Sequence, residues 1–148
     1  MRLKALADAP EAFQTSLGEA LKITDTEWEE RARRGAESET AAYFLAVEAG
    51  RCCGMVGSVF TGDHRADAEM ISLWVDPLCR RKGIGKALIE AVVAWARGGG
   101  AVSLHLGVRE ANVQARRLYA TSGFVEGPRQ SHGATGGTCE VGMRLALR

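Results

Sequence analysis

The sequence predicts one domain of the α+β class, built on a mixed central β-sheet with flanking helices. Apolar runs joined by short turns, such as the turn at 48–51, are typical of antiparallel hairpins. Over 69–109 an apolar run, a helix-like stretch and a second apolar run follow one another, which indicates a strand–helix–strand unit with a parallel pair. The chain has 148 residues, 46% of them hydrophobic, which suits a single core, so we treat 1–148 as one domain.

The N-terminal part is predicted to be helical before the chain enters the sheet. Residues 3–7 resemble a short helix that Pro10 interrupts. Thr24 and Glu27 have capping-box spacing, with an overlapping second box two residues later, and predict a helix that ends near Arg34. Strands are then predicted at 43–47, 52–60 and 69–75.

The C-terminal part is predicted to alternate helices with strands. An apolar face recurs at steps of three and four and predicts a helix that Gly98 ends; its members are Ile84, Leu88, Ala91, Val92 and Trp95. Apolar and polar or small residues alternate from Val102 to Val108, as in a half-buried strand. The remaining elements are a second helix at 112–121, a strand at 124–126, a glycine-rich loop at 127–137 and a last strand at 139–147.

Cysteine and histidine positions give no metal-binding pattern. The four cysteines, at 52, 53, 79 and 139, contain no C-x-x-C pair, and the three histidines are scattered along the chain. This spacing favours small packing residues over zinc ligands, so no metal is predicted.

Charge is unevenly distributed, although the net charge is only +1. Residues 1–48 carry 6 basic and 10 acidic side chains, whereas residues 79–148 carry 11 basic and 4 acidic ones. The basic half favours an anionic ligand, either nucleic acid or a phosphorylated cofactor, with a merely solvated surface as the alternative.

No apolar run approaches the ~20 residues that span a bilayer. No secretory signal opens the chain either, so a cytoplasmic protein with no membrane partner is expected.

The clearest functional pattern is CRRKGIGKAL, residues 79–88, between a predicted strand and a predicted helix. The first turn of a helix has unpaired backbone N–H groups and partial positive charge, which attract anions. Gly83 and Gly85 allow close approach of a ligand, and a pyrophosphate suits such a turn. A flexible basic turn without a ligand is the alternative. Four cations surround the glycines: Arg80, Arg81, Lys82 and Lys86.

Two familiar phosphate-binding loops do not fit this stretch. A P-loop requires Ser or Thr after its lysine, but Ala87 follows Lys86. A dinucleotide fingerprint requires a third glycine three residues after Gly85, where this chain has Leu88. The anion would therefore be held by a different motif.

Two segments together resemble the motifs of the GNAT acyltransferase superfamily. VDPLCRRKGIGKALIEAVVAWA is similar to motif A, whose core (R/Q)-x-x-G-x-(G/A) is matched by Arg80, Gly83 and Gly85. NVQARRLYATSGF is similar to motif B, N-x-x-A-x-x-x-Y-x-x-x-G-F. The matching residues of motif B are Asn112, Ala115, Tyr119, Gly123 and Phe124. The two motifs occur in the family's order, and the resemblance is tight over 69–126.

This resemblance implies transfer of an acetyl group from acetyl-CoA to a primary amine, directly, in a ternary complex. It places the pyrophosphate of coenzyme A on the backbone amides of the glycine turn, and the pantetheine arm beside the preceding strand. The residues implied to bind acetyl-CoA are Leu73, Trp74, Val75, Arg80, Arg81, Lys82, Gly83, Ile84, Gly85, Lys86, Asn112 and Ala115.

The resemblance also implies catalytic roles. Tyr119 matches the general acid that protonates the departing thiolate, with a half-buried core tyrosine as the alternative. The amide of Val75 is the expected donor to the oxyanion. Glu69 matches the position of the base in some members, and period-two alternation predicts one face for Glu69, Ile71, Leu73 and Val75. A water chain is the alternative base, and His105 and Asp63 are weaker candidates.

Family members usually begin with a strand, whereas this sequence begins within the first helix. Either the true start lies upstream, or the sheet lacks that edge strand. An open sheet edge can be covered by a second chain, which makes a homodimer one expectation. Carboxylates around Trp28 favour a cationic acceptor, although most of them fit a solvated helix face better. The acceptor class is therefore left as a small-molecule or peptide amine.

Two other functions are weighed against the enzyme. A non-catalytic acyl-CoA sensor would share the same cofactor site, but retention of Tyr119 counts against it. A nucleic-acid-binding domain would use the basic half of the chain. Its cations concentrate at one helix start and lack interleaved aromatic residues, so no nucleic-acid partner is predicted.

Overall fold

A computed structural model describes residues 1–10, 13, 16–132 and 138–147 of the chain. Its strands are β1 (Ala41–Glu48), β2 (Arg51–Thr61), β3 (Asp67–Val75), β4 (Ser103–Arg109), β5 (Val125–His132) and β6 (Thr138–Ala146). Its helices are α1 (Arg2–Asp8), α2 (Leu17–Leu21), α3 (Asp25–Glu37), α4 (Ile84–Gly98) and α5 (Val113–Thr121). In the described residues the six strands form one mixed sheet, ordered β1-β2-β3-β4-β6-β5, which confirms the predicted fold class.

The central pairing of this sheet is short. Strands β3 and β4 are parallel and pair only through Asp67–Ser103, Ala68–Leu104 and Glu69–His105 in the described structure. By contrast, β3 stays paired with β2 as far as Val75, and β4 is paired with β6 along its whole length. The two central strands therefore separate after Glu69 and leave a gap between them.

A β-bulge in β3 lies beside this gap. Met55 pairs with Trp74 and Gly57 pairs with Ile71, so β3 has one residue more than β2 over this stretch. Ser72 supplies the irregularity, with a φ of +57°. The extra residue exchanges the two faces of the strand beyond it.

The bulge makes one prediction wrong. Before it, Met70 faces the core under α4, and after it Leu73 and Val75 do so. Trp74 turns instead to the opposite face and packs with Ala5 and Met55. Glu69 and Ile71 thus do not share a face with Leu73 and Val75, because strict alternation ends at Ser72.

The core lies mainly between the sheet and α4. The helix buries Leu88, Ile89, Val92 and Ala96. Its periodicity predicted Leu88 and Val92, whereas the other members of the predicted face are only partly buried: Ile84, Ala91 and Trp95. The buried stripe packs on Tyr119 of α5 and on residues from five strands. The strand residues include Phe44, Val56, Met70, Leu104 and Val141. Full burial of each large aliphatic side chain contributes about 1.5–3 kcal/mol. The opposite face of β2 and β3 is covered by α1.

Several element ends differ from the predictions. Thr24 and Glu27 form the predicted capping box, and α3 begins at this box and not at the overlapping second one. The helix continues to Glu37, beyond the predicted end near Arg34. No residue of α3 is buried, which agrees with a solvated acidic face. Strand β5 extends into the predicted glycine-rich loop, because pairing with β6 resumes at Arg129 after an irregularity that accommodates Pro128. The rest of that predicted loop, 133–137, lies outside the described residues.

Among the helices that the structure describes, none combines the length and the hydropathy that a membrane crossing needs.

Candidate active site

The turn before α4 presents free backbone amides. Arg81 and Gly83 both have left-handed φ angles, of +63° and +79°, and no side chain caps the start of the helix. In the described structure the N–H groups of Arg81, Lys82 and Gly83 donate to no other group. A Cβ placed on Gly83 would have no atom within 4 Å. The turn is therefore an open concavity of N–H groups, of the kind that binds anions.

The four cations of this turn have different surroundings. Arg80 pairs with Asp8 at 2.8 Å and donates from Nε to the carbonyl oxygen of Val75 at 3.0 Å. Lys82 lies 3.0 Å from Glu48, whose hydrogen bond raises the pKa of the lysine. Lys86 lies 4.0 Å from Glu90. Arg81 has no ion pair within the described residues, so its side chain is the cation most available to a ligand.

Asp8 connects the turn to α1. Its Oδ2 atom accepts from Arg80 and also from the indole nitrogen of Trp74, each at 2.8 Å. Trp74 and Arg80 were both predicted to bind the cofactor, and both side chains are occupied in holding the end of β3 against α1. Both side chains are committed to these contacts, and their part in binding a cofactor stays a prediction.

The two glycines of the motif have different functions in the fold. Gly83 faces open space, whereas a Cβ on Gly85 would lie 3.0 Å from Cδ2 of Leu118 and 3.8 Å from Cγ2 of Val75. Gly85 thus permits α5 to pack against the start of α4. Of these two glycines, only Gly83 borders open space.

Helix α5 presents the predicted acid and its neighbours. Asn112 caps the helix through its Oδ1 atom, which accepts from the amide of Ala115 at 3.2 Å. Tyr119 is 8% exposed and packs edge-on against Phe124, with ring centroids 5.9 Å apart. Burial raises the pKa of Tyr119 to about 12. Its hydroxyl has no hydrogen-bond partner within the described chain, so it is a neutral donor with its proton uncommitted.

A polar cluster lies where β3 and β4 separate. The hydroxyl of Ser103 donates to Oδ1 of Asp67, and Nε2 of His105 lies 2.8 Å from the same hydroxyl and 3.3 Å from Asp67 Oδ1. These two hydrogen bonds lower the pKa of Asp67. Glu69 is exposed and is the direct neighbour of His105 in the parallel pairing. Asp63 lies apart, in an exposed 3-10 turn before β3.

Sequence reasoning found His105 only as a weaker candidate and missed both Asp67 and Ser103. The signal was the alternation of Ser103 and His105 with buried Leu104 and Leu106. The parallel register that brings Asp67 to them joins positions 36 residues apart, and no local pattern encodes it.

A second cluster brings together cysteine side chains that lie far apart in the sequence. The Sγ atoms of Cys53 and Cys79 are 2.9 Å apart, and both side chains are buried, as the packing interpretation predicts. The contact with Cys53, and then burial, raises the pKa of the Cys79 thiol. Glu48 lies beside them, so that the three ligand atoms fall within 4.8 Å of one another. The Glu48 carboxylate forms an ion pair with the Lys82 ammonium group. The absence of a metal stays a prediction.

Two cavities lie outside the gap between β3 and β4. One of about 380 Å³ follows the outer side of α4, from Lys86 to Arg97, where Ser122 faces it. The other, about 390 Å³, is lined by Arg109, Glu110, Ala111 and Cys139 at the end of β4. Neither cavity is lined by Tyr119 or Glu69.

Comparison with known proteins identifies the family to which this fold belongs. Residues 5–124 match the acetyltransferase (GNAT) family. The chain belongs to the GNAT family. The predicted family and fold class are thereby confirmed. In this GNAT domain the glycine turn lies within the first sequence motif, and β4 lies between the two motifs.

Individual GNAT relatives are more distant. A mycothiol acetyltransferase of Thermobispora bispora is 31% identical over 84% of this chain and 40% of its own length. The ribosomal protein bS18-alanine N-acetyltransferase of Escherichia coli is 29% identical over 67% of this chain and 65% of its own length. The chain thus spans less than two thirds of either curated relative.

A solved structure shows the same fold over nearly the whole chain. A protein of Salmonella typhimurium, determined with its cofactor acetyl-CoA, has a TM-score of 0.73 to this GNAT domain. The superposition covers 99% of this chain and 86% of that chain, at 20% sequence identity.

Proposed function

We propose that this GNAT domain transfers an acetyl group from acetyl-CoA to a primary amine within a ternary complex. The observation that carries the proposal is the adjacency of two open features. The gap beside β3 ends at Val75, and the free amides of the glycine turn begin at Arg81. An extended ligand with a diphosphate at one end of an amide-containing arm fits both features at once, and coenzyme A has that chemistry.

Recognition of acetyl-CoA is assigned to the turn and to the strand before it. The amides from Arg81 to Lys86, with Ile84 between the two glycines, would hold the pyrophosphate, and the unpaired Arg81 side chain would add a charged donor. The backbone of Leu73–Val75 would pair with the pantetheine arm. Asn112 and Ala115 contribute by fixing the first turn of α5. Gly85 allows α5 to pack against the start of α4.

The chemistry requires one bond to form and one to break. The amine nitrogen attacks the thioester carbonyl, the C–N bond forms, and the C–S bond then breaks. The Val75 amide would stabilise the oxyanion, and Tyr119 would give its proton to the departing thiolate. The pKa of about 12 favours this assignment, because the phenol keeps its proton throughout the neutral range. Glu69, exposed at the last pair before the gap, is the base that the family resemblance proposes.

The acceptor is assigned only as a primary amine, on a small molecule or a peptide. The relatives' names include one small-molecule acetyltransferase and one that acts on a protein alanine. The exposed acidic face of α3 is compatible with a cationic acceptor, but Glu30 already pairs with Arg33 and Arg34, and Glu27 is part of the capping box. We therefore give this face no role in selecting the acceptor.

Calorimetric titration with acetyl-CoA and with free CoA tests the first half of the proposal. Binding in the micromolar range is the expected result, and a folded protein that binds neither ligand would refute it. Release of CoA thiol is then measured with spermidine and with a peptide that begins with alanine. Tight binding without thiol release from any of a broad set of amines would favour the non-catalytic sensor instead.

A further inference from the structure

Four polar side chains share one face of the sheet at the start of the gap. Ser103 and His105 alternate with Leu104 and Leu106, whose side chains are in the core under α4, so both project from the opposite face. On β3, Asp67 and Glu69 lie directly across from them. The Glu69–His105 pair is the last before the strands separate.

Hydrogen bonds at this position define the tautomer of His105. Ser103 has one hydroxyl proton and donates it to Asp67, so the same hydroxyl can only accept from Nε2 of His105. Asp67 Oδ1, which also faces Nε2, is an acceptor as well. The ring proton therefore resides on Nε2. In the neutral imidazole this leaves a lone pair on Nδ1, and no described residue bonds to that atom.

Charged side chains face the His105 ring from both neighbouring strands. Asp67 and Glu69 face His105 from β3, and Arg144 faces it from β6 as its antiparallel partner. Hydrogen bonds from Ser103 and His105 lower the pKa of Asp67, so its carboxylate stays ionised at neutral pH. Of these three charged groups, Asp67 has the contact that the structure shows, with Oδ1 at 3.3 Å from Nε2.

We propose that His105, oriented through Ser103 and Asp67, is the general base that accepts the proton of the acceptor amine on Nδ1. This proposal rests on the acetyl transfer proposed above and replaces Glu69 in the role of base. The amine proton passes to Nδ1 as the C–N bond forms, and the imidazolium later returns it to solvent. Tyr119 supplies the separate proton that the thiolate requires. Ser103 and Asp67 are positioning residues, and Glu69 contributes negative charge.

The tautomer can be measured without any acceptor. Long-range 1H–15N spectra of protein labelled at histidine distinguish the two ring nitrogens, and the His105→Gln variant assigns the signal. A protonated Nε2 and an unprotonated Nδ1 in the neutral ring are expected, and a proton on Nδ1 would overturn the proposal. Asp67→Asn should increase the Nδ1-protonated fraction, because an amide can donate to Nε2, and Asp67→Glu should restore the original tautomer.

Kinetics test the role of the base itself. Glutamine at position 105 can still donate to Ser103 but has no basic nitrogen, so His105→Gln should lower kcat about 10²–10⁴-fold. The rate of the unaltered protein should fall as acid protonates the imidazole, and the variant should lose that limb of the pH profile. His64→Gln, in the exposed turn before β3, is the matched control and should change neither.

The assay uses acetyl-CoA with spermidine or the alanine peptide, and with water as acceptor where neither amine reacts. An unchanged pH profile in His105→Gln, or loss of the acid limb in Glu69→Gln alone, would overturn the assignment. Calorimetry of His105→Gln should give an unchanged Kd for acetyl-CoA. Failure of the unaltered protein to bind acetyl-CoA refutes the proposed function instead, while the tautomer measurement remains informative.

Discussion

Lys4 on α1 forms an ion pair with Asp76, whose side chain is almost completely buried at the end of β3. The same carboxylate accepts from the amide of Leu78 at 3.0 Å, and these hydrogen bonds lower its pKa, that from Lys4 most. The pair fixes α1 to the connection between the gap and the glycine turn. Removal of the lysine would leave a buried carboxylate without its partner.

Lys4→Met should therefore lower the melting temperature at pH 7, by about 2–4 °C for each kcal/mol lost in a domain of this size. Because the folded-state pKa of Asp76 is depressed, this stabilisation is present above the pKa of an unfolded aspartate and is lost as pH falls. The difference between variant and parent should shrink in acid. Lys22→Met, at an exposed position, is the control, and equal melting shifts in the two variants would contradict the prediction.

Gly83→Asp should abolish acetyl-CoA binding without unfolding the domain. The new carboxylate would occupy the anion concavity of the turn, yet a Cβ there meets no atom within 4 Å. Gly100→Asp is a matched control, since Gly100 also has a positive φ, of +95°, and open space around it. Calorimetry should show loss of binding in the first variant and retention in the second. Equal affinities would mean that the turn does not hold the ligand.

Tyr119→Phe should leave the Kd for acetyl-CoA near its original value and lower turnover by about 10²-fold or more, as loss of a general acid does. Because burial raises the pKa of Tyr119 to about 12, the acid should keep its proton well above neutral pH. Tyr43→Phe, at the exposed second tyrosine, is the control. Full turnover in Tyr119→Phe, with the chemical step rate-limiting, would exclude the acid role.

The raised pKa of Tyr119 also has a consequence for stability in alkali. An unfolded tyrosine ionises near 10, so the folded state should lose stability as pH rises from about 10 to 12. Ultraviolet titration of Tyr43→Phe would follow Tyr119 alone. A transition near 10 in the folded variant would contradict this assignment.

Thiol reactivity should follow burial. Cys139 is exposed, whereas Cys53 and Cys79 are buried in contact with each other, and the raised pKa of Cys79 reduces its thiolate fraction. An aromatic disulfide reagent should modify Cys139 in the fast phase, and Cys139→Ser should remove that phase. Cys53 and Cys79 should react only after unfolding. Rapid modification of either in the folded Cys139→Ser protein would contradict the buried placement.

The sequence contained most of the information about local structure. Period-two alternation predicted β4, the steps of three and four predicted α4, and Thr24 with Glu27 predicted the start of α3. The two motifs predicted the turn and Tyr119 because each motif is continuous along the chain. These features depend on neighbours within one or two turns, which the sequence displays directly.

The errors concern backbone irregularities and strand pairings that a local pattern does not show. The bulge at Ser72 inverted the predicted face of Leu73 and Val75, since one residue with left-handed φ is not visible in an alternating pattern. The contact of Cys53 with Cys79 and the bonding of His105 to Asp67 depend on strand pairing. Strand β5 was predicted too short, because Gly127 and Pro128 suggest a loop and the pairing with β6 outweighs them.

The three-pair contact between β3 and β4 divides the sheet into two antiparallel blocks, β1-β2-β3 and β4-β6-β5. The ladders inside the two blocks have at least six pairs each, whereas the seam has only three. The seam should therefore open first in native-state hydrogen exchange. A ligand bound across it would slow exchange at 67–69 and 103–105, so the narrowest part of the sheet would report occupancy of the site.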